Sequence, residues 1–342
     1  MAAIMSNVFA DTAVTDPVGY VTLQVRAPGT LSFVAPSLVN KTEYAGVVTS
    51  HGASTITVAG TPFTPLAFAT DVNPVIGAQY YVEITNGATT TGLWTNITTN
   101  LTSSQITTED NLSASIIDNT TTIKIRKHVS IANVFGATNS AGLFASDQVS
   151  TADEIKILNT ETKVIQTVFY YNDGVDQAWV DADFNLVANL GIQPGQGLFI
   201  QRKAPGSFSF VNVGHVKTGK TMMTFDPGLS IIGVPHAVGA NFVLDQTNLT
   251  EIPQPVVPGP QSGRVFGSDQ IATADVLKIA QLDGSLKECF YYNDGVDTAW
   301  VDADFNLIGP TEQLKEGTSF VFVRVAGAGT LTWTSPAEVI AP

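Results

Sequence analysis

One 18-residue segment occurs twice in this chain with a single substitution. Residues 169–186 read FYYNDGVDQAWVDADFNL, and residues 290–307 repeat this sequence except that Thr298 stands in place of Gln177. Near-identity between distant segments indicates a duplicated supersecondary unit, which limits the folds that the chain can adopt. We call the two stretches the acidic segments, because each contains four aspartates and no lysine or arginine.

The similarity extends to both sides of the acidic segments. SDQVSTADEIKIL begins at Ser146, and SDQIATADVLKIA begins at Ser268. The spacing between the two copies then changes by one residue where a short polar stretch contains Asp283-Gly284, a tight hairpin signal. Because length changes are tolerated at hairpin turns, we expect the flanking strands to form a hairpin in both copies.

The duplication predicts equivalent structures for residues 146–213 and residues 268–334. Each acidic segment carries one tryptophan, Trp179 or Trp300, inside an apolar run. We therefore predict that the two regions match strand for strand, with both tryptophans in equivalent, mostly buried sites.

Short alternating runs dominate the chain. In residues 20–25 the polar Tyr20, Thr22 and Gln24 alternate with aliphatic residues, a pattern typical of a strand with one apolar face. Similar runs recur along the chain, and 29 Gly and 17 Pro leave little room for long helices. The sequence predicts an all-β, multi-domain protein of sandwich or barrel architecture, with a tandem internal duplication in its C-terminal two thirds.

Composition and repeats together predict the following domain organisation. Residues 1–14 form an export-signal remnant or an N-terminal arm, because Val8-Phe9-Ala10 has the small-x-small form of a signal-peptidase site. The Pro-rich stretch PQPVVPGP indicates a stiff, extended connector. The remaining expected units are an N-terminal β domain (15–127), a first repeat (128–252), the connector (253–262) and a second repeat (263–342).

Several motifs carry a resemblance to a known family. They are the TDPVGY opening strand at residues 15–20, the LSFVAPSLVN segment at residues 31–40, and a set that comprises Ala152-Asp153, Tyr170-Tyr171-Asn172, Trp179 and residues 194–200. As a set they resemble a family of uncharacterised secreted proteins from Verrucomicrobia. The resemblance implies export to the extracellular space or cell surface, an all-β fold and no known activity. It supplies no catalytic residues.

Charge and motif content argue against several functional classes. The formal net charge is −14, from 16 Lys+Arg against 30 Asp+Glu, so phosphate backbones are repelled and nucleic-acid binding is not expected. Residues 214–221, GHVKTGKT, match a phosphate-loop pattern, but Asp226-Pro227-Gly228 follow where that loop requires a helix, so no nucleotide is expected. No apolar run reaches the length of a membrane span. Cys289 and the four scattered histidines form no catalytic motif, so we do not expect an enzyme.

The acidic segments are the one constellation with candidate chemistry. Asp-x-Asp-x-Asn offers oxygen atoms at alternate positions, which suits a hard cation such as calcium. The alternative is that these residues form turns, with side chains that accept hydrogen bonds from nearby amides. Both interpretations stay open, and no other cofactor is expected. The candidate metal ligands are Asp173, Asp176, Asp181, Asp183 and Asn185 in the first copy, and Asp294, Asp297, Asp302, Asp304 and Asn306 in the second.

Three functional hypotheses follow from these patterns. The leading one is a non-enzymatic extracellular structural protein whose copies self-assemble into a cell-surface filament or coat, with the N-terminal arm adding as a strand to a neighbour. The second is a carbohydrate-binding or adhesive module that recognises surface polysaccharide through Trp179, Trp300 or the tyrosine pairs. The third is a secreted hydrolase with a dispersed site.

Overall fold

The computed structural model describes residues 17–87, 89–159, 162–234, 243–247, 249, 265–281, 284–315 and 317–335. These residues form an all-β structure with one α-helix, as the sequence predicts. In chain order the elements are β1 (Val18–Val25), β2 (Leu31–Val34), β3 (Leu38–Val39), β4 (Thr42–His51), β5 (Thr55–Val58), β6 (Tyr80–Ile84), β7 (Trp94–Thr99), β8 (Gln105–Thr108), a 3₁₀ turn (Ser113–Ser115), β9 (Thr122–Lys127), β10 (Val129–Ser130), α1 (Ile131–Phe135), β11 (Glu154–Leu158), β12 (Ile165–Asn172), β13 (Gln177–Asp181), β14 (Gly191–Ile192), β15 (Leu198–Gln201), β16 (Phe208–Val216), β17 (Met222–Phe225), β18 (Gly228–Gly233), two 3₁₀ turns (Leu244–Thr247 and Ile271–Thr273), β19 (Val276–Ala280), β20 (Leu286–Asn293), β21 (Thr298–Asp302), β22 (Ser319–Arg324) and β23 (Leu331–Thr334).

Strands β4 to β9 close into a six-stranded barrel in the order β4-β5-β8-β7-β6-β9. Its interior is filled by aliphatic side chains from every strand, among them Val48, Val82, Ile106 and Ile125. On β9 the inward Ile123 and Ile125 alternate with the partly exposed Lys124, which is the period expected of a strand with one buried face.

Repeat unit 1 is a sandwich built from β1 to β3 and β10 to β16. One sheet has the order β13-β12-β11-β15-β2, and the other has the order β1-β16-β3. Val21 and Leu23 of β1 share one hydrophobic core with Ile155 of β11 and Trp179 of β13. The alternation in residues 20–25 therefore reflects a strand that lays one face on this core.

Repeat unit 2 has the same arrangement in β17 to β23. Its five-stranded sheet has the order β18-β22-β19-β20-β21, and β17 pairs with β23. Tyr291 lies opposite Trp300 in this sheet, as Tyr170 lies opposite Trp179 in repeat unit 1. The predicted strand-for-strand correspondence is confirmed for β11, β12, β13, β15 and β16, which match β19, β20, β21, β22 and β23, whereas β14 has no counterpart among the described residues of repeat unit 2.

The sheets divide the chain differently from the expected boundaries. Strands β1 to β3, expected in a domain of residues 15–127, pair with β15 and β16. The barrel is thus inserted between β3 and β10 of repeat unit 1, and a closed barrel leaves no edge to which β1 could add. Likewise β17 and β18, expected within residues 128–252, pair with β23 and β22 of repeat unit 2. The arm (1–14) and the connector (253–262) lie outside the described residues.

The two repeat units meet through a pair of equivalent hydrogen bonds. The Ala35 amide donates to the Gly317 carbonyl (3.0 Å), and the Gly233 amide donates to the Gly195 carbonyl (2.9 Å). Ala35 directly follows β2, and the equivalent residue Gly233 is the last of β18; a Cβ atom on Gly233 would collide with that of Ala35. The units are therefore packed directly on each other around an approximate two-fold axis.

Candidate contact surface on the acidic segments

Each acidic segment forms the free edge of a five-stranded sheet. In repeat unit 1, β12 and β13 form a hairpin, after which the chain turns back so that Leu186 bridges to Val180. The Val187 amide also donates to the Trp179 carbonyl (2.9 Å). Alternation along β12 then sends Tyr170 towards the core and Phe169 and Tyr171 to the outer face of the sheet.

The two tryptophans anchor the inner face, as predicted. Trp179 and Trp300 are each 1% exposed. The Trp179 indole Nε1 donates to the carbonyl of Gly136 (2.8 Å), and that of Trp300 donates to the carbonyl of Leu249 (3.0 Å). Buried indoles with satisfied donors cannot stack on a sugar ring, so the carbohydrate hypothesis loses its two tryptophans.

The first turn of each acidic segment is organised by one aspartate. Asp173 accepts hydrogen bonds from the amides of Val175 (2.9 Å) and Asp176 (2.8 Å), and from the hydroxyl of Tyr171 (2.9 Å). Asp294 makes the same three contacts in repeat unit 2. These donors, the Asp176 amide foremost, lower the pKa of Asp173.

The second turn repeats this chemistry at the other end of β13. Asp181 accepts hydrogen bonds from the amides of Asp183 (2.9 Å) and Asn185 (2.8 Å), and from the Asn185 side chain. Asp302 does the same with Asp304 and Asn306, and the Asn306 amide is the main cause of its lowered pKa. The ten candidate calcium ligands thus divide into two turns per segment rather than one cluster.

The candidate calcium ligands have two different environments in the turns. Asp173 and Asp181 already use their oxygen atoms as turn acceptors, whereas Asp176 and Asp183 point carboxylates outward on exposed positions. Across the described ranges, no three side chains of His, Cys, Asp or Glu come close enough to hold a metal ion. Calcium binding stays a prediction, which a chelation experiment tests below.

Three exposed apolar side chains per segment were missed by the sequence reasoning. Val175 is 88% exposed, Phe184 54% and Leu186 63%, and their counterparts Val296, Phe305 and Leu307 are 87%, 56% and 63% exposed. They lie between turn-forming residues, so the period-2 pattern gives no signal that they face solvent. Val175 lies in the turn before β13, and Phe184 and Leu186 follow the other end of that strand. Exposed apolar side chains that lie near each other mark contact surfaces more often than isolated ones do.

Phe184 and Phe305 also have an unusual backbone conformation. Both have φ = 64°, in the left-handed region that bulky side chains rarely adopt. Each ring packs edge-on against two outer-face aromatics, and for Phe184 these are Phe169 (5.9 Å between centroids) and Tyr171 (5.8 Å). A costly conformation that is kept at both equivalent sites points to a role for the ring at the surface.

Each repeat unit also contains a buried aspartate–arginine pair. In repeat unit 1 the Arg202 guanidinium donates to Asp153 (2.8 Å), and in repeat unit 2 Arg324 donates to Asp275 (2.6 Å). Both carboxylates also accept backbone amides from the loops on either side. Asp153 was quoted above only as part of a family pattern, and its partner was not predicted because it lies 49 residues away.

The other candidate reactive groups do not come together. Burial raises the pKa of the Cys289 thiol to about 12, so the thiolate is strongly disfavoured. Burial likewise lowers the pKa of His128 to about 4, against a smaller opposing effect of a hydrogen bond with the Ile192 backbone. His51 contacts Asp118 (2.7 Å) on the barrel. This pair is far along the chain from Cys289, and neither of its residues contacts His128 in these hydrogen bonds.

Comparisons with protein-family models, with curated proteins and with solved structures find no match to this chain. The Verrucomicrobia resemblance therefore stays a prediction. Within the ranges that the structure describes, no helix is both long and apolar enough to cross a membrane.

Proposed function

We propose that this chain is a non-enzymatic extracellular structural protein whose copies self-associate through the outer faces of the two acidic segments. The proposal rests on a comparison of which residues are identical in the two repeat units. The exposed apolar residues of the acidic segments are identical in the two copies, whereas several buried residues outside the segments differ. Examples are Val168 against Cys289 and Ile200 against Phe322.

Packing alone does not account for this distribution. Buried residues can be exchanged for others of similar total volume, so cores of duplicated units drift apart over time. Exposed side chains such as Val175 and Leu186 contribute little to packing, and nothing in the fold requires them to be apolar. Their retention in both copies is explained if each segment makes the same contact with a partner surface.

A second copy of this chain is the partner that the duplication favours. A subunit with two equivalent contact surfaces can be joined at both, and pairing of like surfaces then extends an open chain of subunits. With a single surface the same contact would stop at a dimer. The presence of two acidic segments in one chain therefore supports a filament or coat more directly than it supports a monomeric module.

Electrostatics sets a condition on this contact. Each acidic segment carries four aspartates and no basic residue, so two segments that face each other repel at low ionic strength. Salt screens exposed charges within about 8–10 Å at physiological concentration. We therefore expect assembly to increase with salt concentration, in contrast to an assembly held by ion pairs.

The carbohydrate-binding alternative retains only part of its support. Tyr170 and Tyr291 are buried with the tryptophans, and the half-buried Tyr171 and Tyr292 use their hydroxyls on Asp173 and Asp294. Within the acidic segments, the exposed rings are those of Phe184 and Phe305. Retention on an immobilised polysaccharide by the wild-type protein, with no change of particle mass, would favour that alternative.

Electron microscopy and light scattering of the full chain at several salt concentrations test the proposal. We expect polymers or sheets from the wild-type protein, and discrete monomers from the double variant Val175→Asp/Val296→Asp. Both valines are almost fully exposed, so the variant should fold normally. Leu101→Asp is the matched control, because Leu101 is 71% exposed on the loop between β7 and β8 of the barrel. A monomeric wild-type protein, or equal assembly of all three proteins, would contradict the proposal.

The N-terminal arm remains a separate prediction. Residues 1–14 lie outside the described residues, so its addition to a neighbouring sheet is tested only by deletion. If the chain without residues 2–14 assembles as the full chain does, the arm is not the contact, and the acidic segments are unaffected by that result.

A further inference from the structure

A basic cavity lies where the barrel meets the stretch that connects the two repeat units. It has a volume of about 180 Å³. Lys124 and Arg126 of β9 line it from the barrel, and Lys217 and Lys220 line it from the residues between β16 and β17. Glu83 of β6 is its one acidic lining residue.

The charge of this lining is opposite to that of the whole chain. Four basic residues surround a single carboxylate here, whereas the chain as a whole has 16 basic and 30 acidic residues. Glu83 is engaged by Lys217, and both side chains are almost completely buried. A cluster of cations at a partly buried site is stabilised by a bound anion, since burial weakens the screening by water.

The pKa of Lys217 reflects the same positive environment. Burial lowers its pKa, Glu83 opposes that shift, and the positive charges of Arg126 and Lys124 lower the pKa further. The Lys217 ammonium also donates to the carbonyl of Lys220 (2.7 Å), which fixes the connecting stretch around the cavity. The Lys217 ammonium and the backbone of Lys220 are thus held in place before any ligand arrives.

The cavity lining also includes three threonines. The hydroxyls of Thr85 and Thr91 donate to the carbonyls of Thr122 (3.2 Å) and Gly87 (2.6 Å), which leaves the hydroxyl of Thr218 as the neutral donor for an anion. Gly219 has no side chain, and a Cβ atom there would lie 3.8 Å from the Lys217 ammonium and 3.9 Å from the Glu83 carboxylate. Glycine therefore leaves the approach to the charged groups open.

We propose that this cavity binds a small divalent oxyanion, phosphate or sulfate, and thereby fastens the connection between the repeat units to the barrel. The cavity is smaller than the roughly 300–1,000 Å³ of typical pockets for larger ligands, so a nucleotide does not fit. Lys217, Gly219 and Lys220 belong to the GHVKTGKT stretch that matches a phosphate loop in sequence. No helix follows it in the structure, because β17 begins at Met222, so the anion is held by side chains rather than by a helix N-terminus.

At this location a bound anion would strengthen the attachment of repeat unit 2 to the barrel. The Met222 amide donates to the Gly92 carbonyl (2.8 Å), so the start of repeat unit 2 is attached to the barrel beside the cavity. An anion that bridges Lys124 of the barrel to Lys220 of the connecting stretch adds to that attachment. Binding should therefore raise the melting temperature of the full chain, as any ligand does that binds only the folded state.

Thermal melts and calorimetric titrations with sodium sulfate and sodium phosphate, against sodium chloride at equal ionic strength, test this proposal. We expect the melting temperature to rise in a saturable way at millimolar oxyanion, and heats of binding that fit one site. Lys124→Met/Lys220→Met should abolish both signals, whereas Lys278→Met, on β19 of repeat unit 2, should leave them unchanged.

Different outcomes of these experiments identify the oxyanion or overturn the proposal. A response to phosphate without sulfate, or the reverse, identifies which oxyanion the site selects. An equal rise with chloride, or a rise that persists in the double variant, would overturn the proposal as a general salt effect. If the double variant does not fold, Lys220→Met serves alone, because Lys220 is exposed and its loss should not affect folding.

Discussion

The acidic segments and the rest of the repeat units have diverged to different extents. The two segments differ only at Gln177 against Thr298, and both place a tryptophan at the same register and hold two aspartate turns at the sheet edge. Outside the segments, buried and exposed positions alike differ, as Val168 against Cys289 and Ser150 against Ala272 show. The buried tryptophans are explained by packing, whereas the exposed valine, phenylalanine and leucine that both copies keep are not.

The largest expected effect tests whether the two buried tryptophans contribute equally to the free energy of unfolding. Trp179→Ala and Trp300→Ala should each lower the free energy of unfolding by about 3–5 kcal/mol, because each removes a fully buried ring and leaves a cavity. Urea denaturation of the two variants measures this, with the partly exposed Trp94→Ala in the barrel as a milder comparison. If only one of the two variants loses stability, the anchors are not equivalent.

A slightly smaller effect separates the two aspartate–arginine pairs. Asp275 and Arg324 are both fully buried, and burial raises the pKa of Asp275 despite its partner, whereas Arg202 in repeat unit 1 retains 11% exposure. Asp275→Asn should destabilise by about 3 kcal/mol, since it leaves a buried guanidinium without its counter-ion. Asp153→Asn should cost less, because water can reach Arg202. Equal losses in the two variants would remove this difference between the units.

A third effect concerns pH and the junction of the barrel with repeat unit 1. His128 follows β9 and is buried, with its Nε2 atom 2.8 Å from Asn96 Oδ1, and its pKa in the folded state is about 4 against 6.5 for the free side chain. The unfolded state therefore binds the proton more readily, so stability is present above pH 6.5 and falls as the pH drops towards 4. The loss approaches about 3 kcal/mol.

Chemical denaturation of the wild type and of His128→Gln at pH 7 and pH 5 measures this effect. The pH dependence between these two values should be clearly weaker in the variant, which has no group to protonate at this site. An unchanged pH dependence would assign it to other groups, such as the carboxylates of the acidic segments.

The smallest expected effect distinguishes the two interpretations of the acidic segments. The turn interpretation predicts that millimolar chelator leaves the melting temperature unchanged, because Asp173 and Asp181 already accept backbone amides. A calcium site would instead show a lower melting temperature in chelator, restored by added calcium. The measurement is best made on the wild-type protein at low salt concentration, where repulsion between the acidic segments disfavours assembly, so that assembly does not contribute to the melt.

Local patterns predicted much of this structure, and their limits have physical causes. The near-identity of the acidic segments and the alternation of residues such as Val21 and Leu23 indicated the all-β class, the duplication and the buried tryptophans. The pairing of β1 with β16 was not predictable, because it joins Val18 to His215 across an inserted barrel, and no local pattern encodes such a pairing. The exposure of Phe184 was missed because it lies between the turn residues Asp183 and Asn185, where strand alternation gives no signal.

The mass of single-site variants in solution tests most directly whether both acidic segments are joints between copies. Val175→Asp and Val296→Asp, each measured alone by light scattering at the salt concentration at which the wild type assembles, leave one intact segment per chain. If like segments pair, each single variant should stop at dimers, the double variant should be monomeric, and the control Leu101→Asp should grow as the wild type does. Single variants that form polymers of wild-type mass would show that the acidic segments do not join the copies.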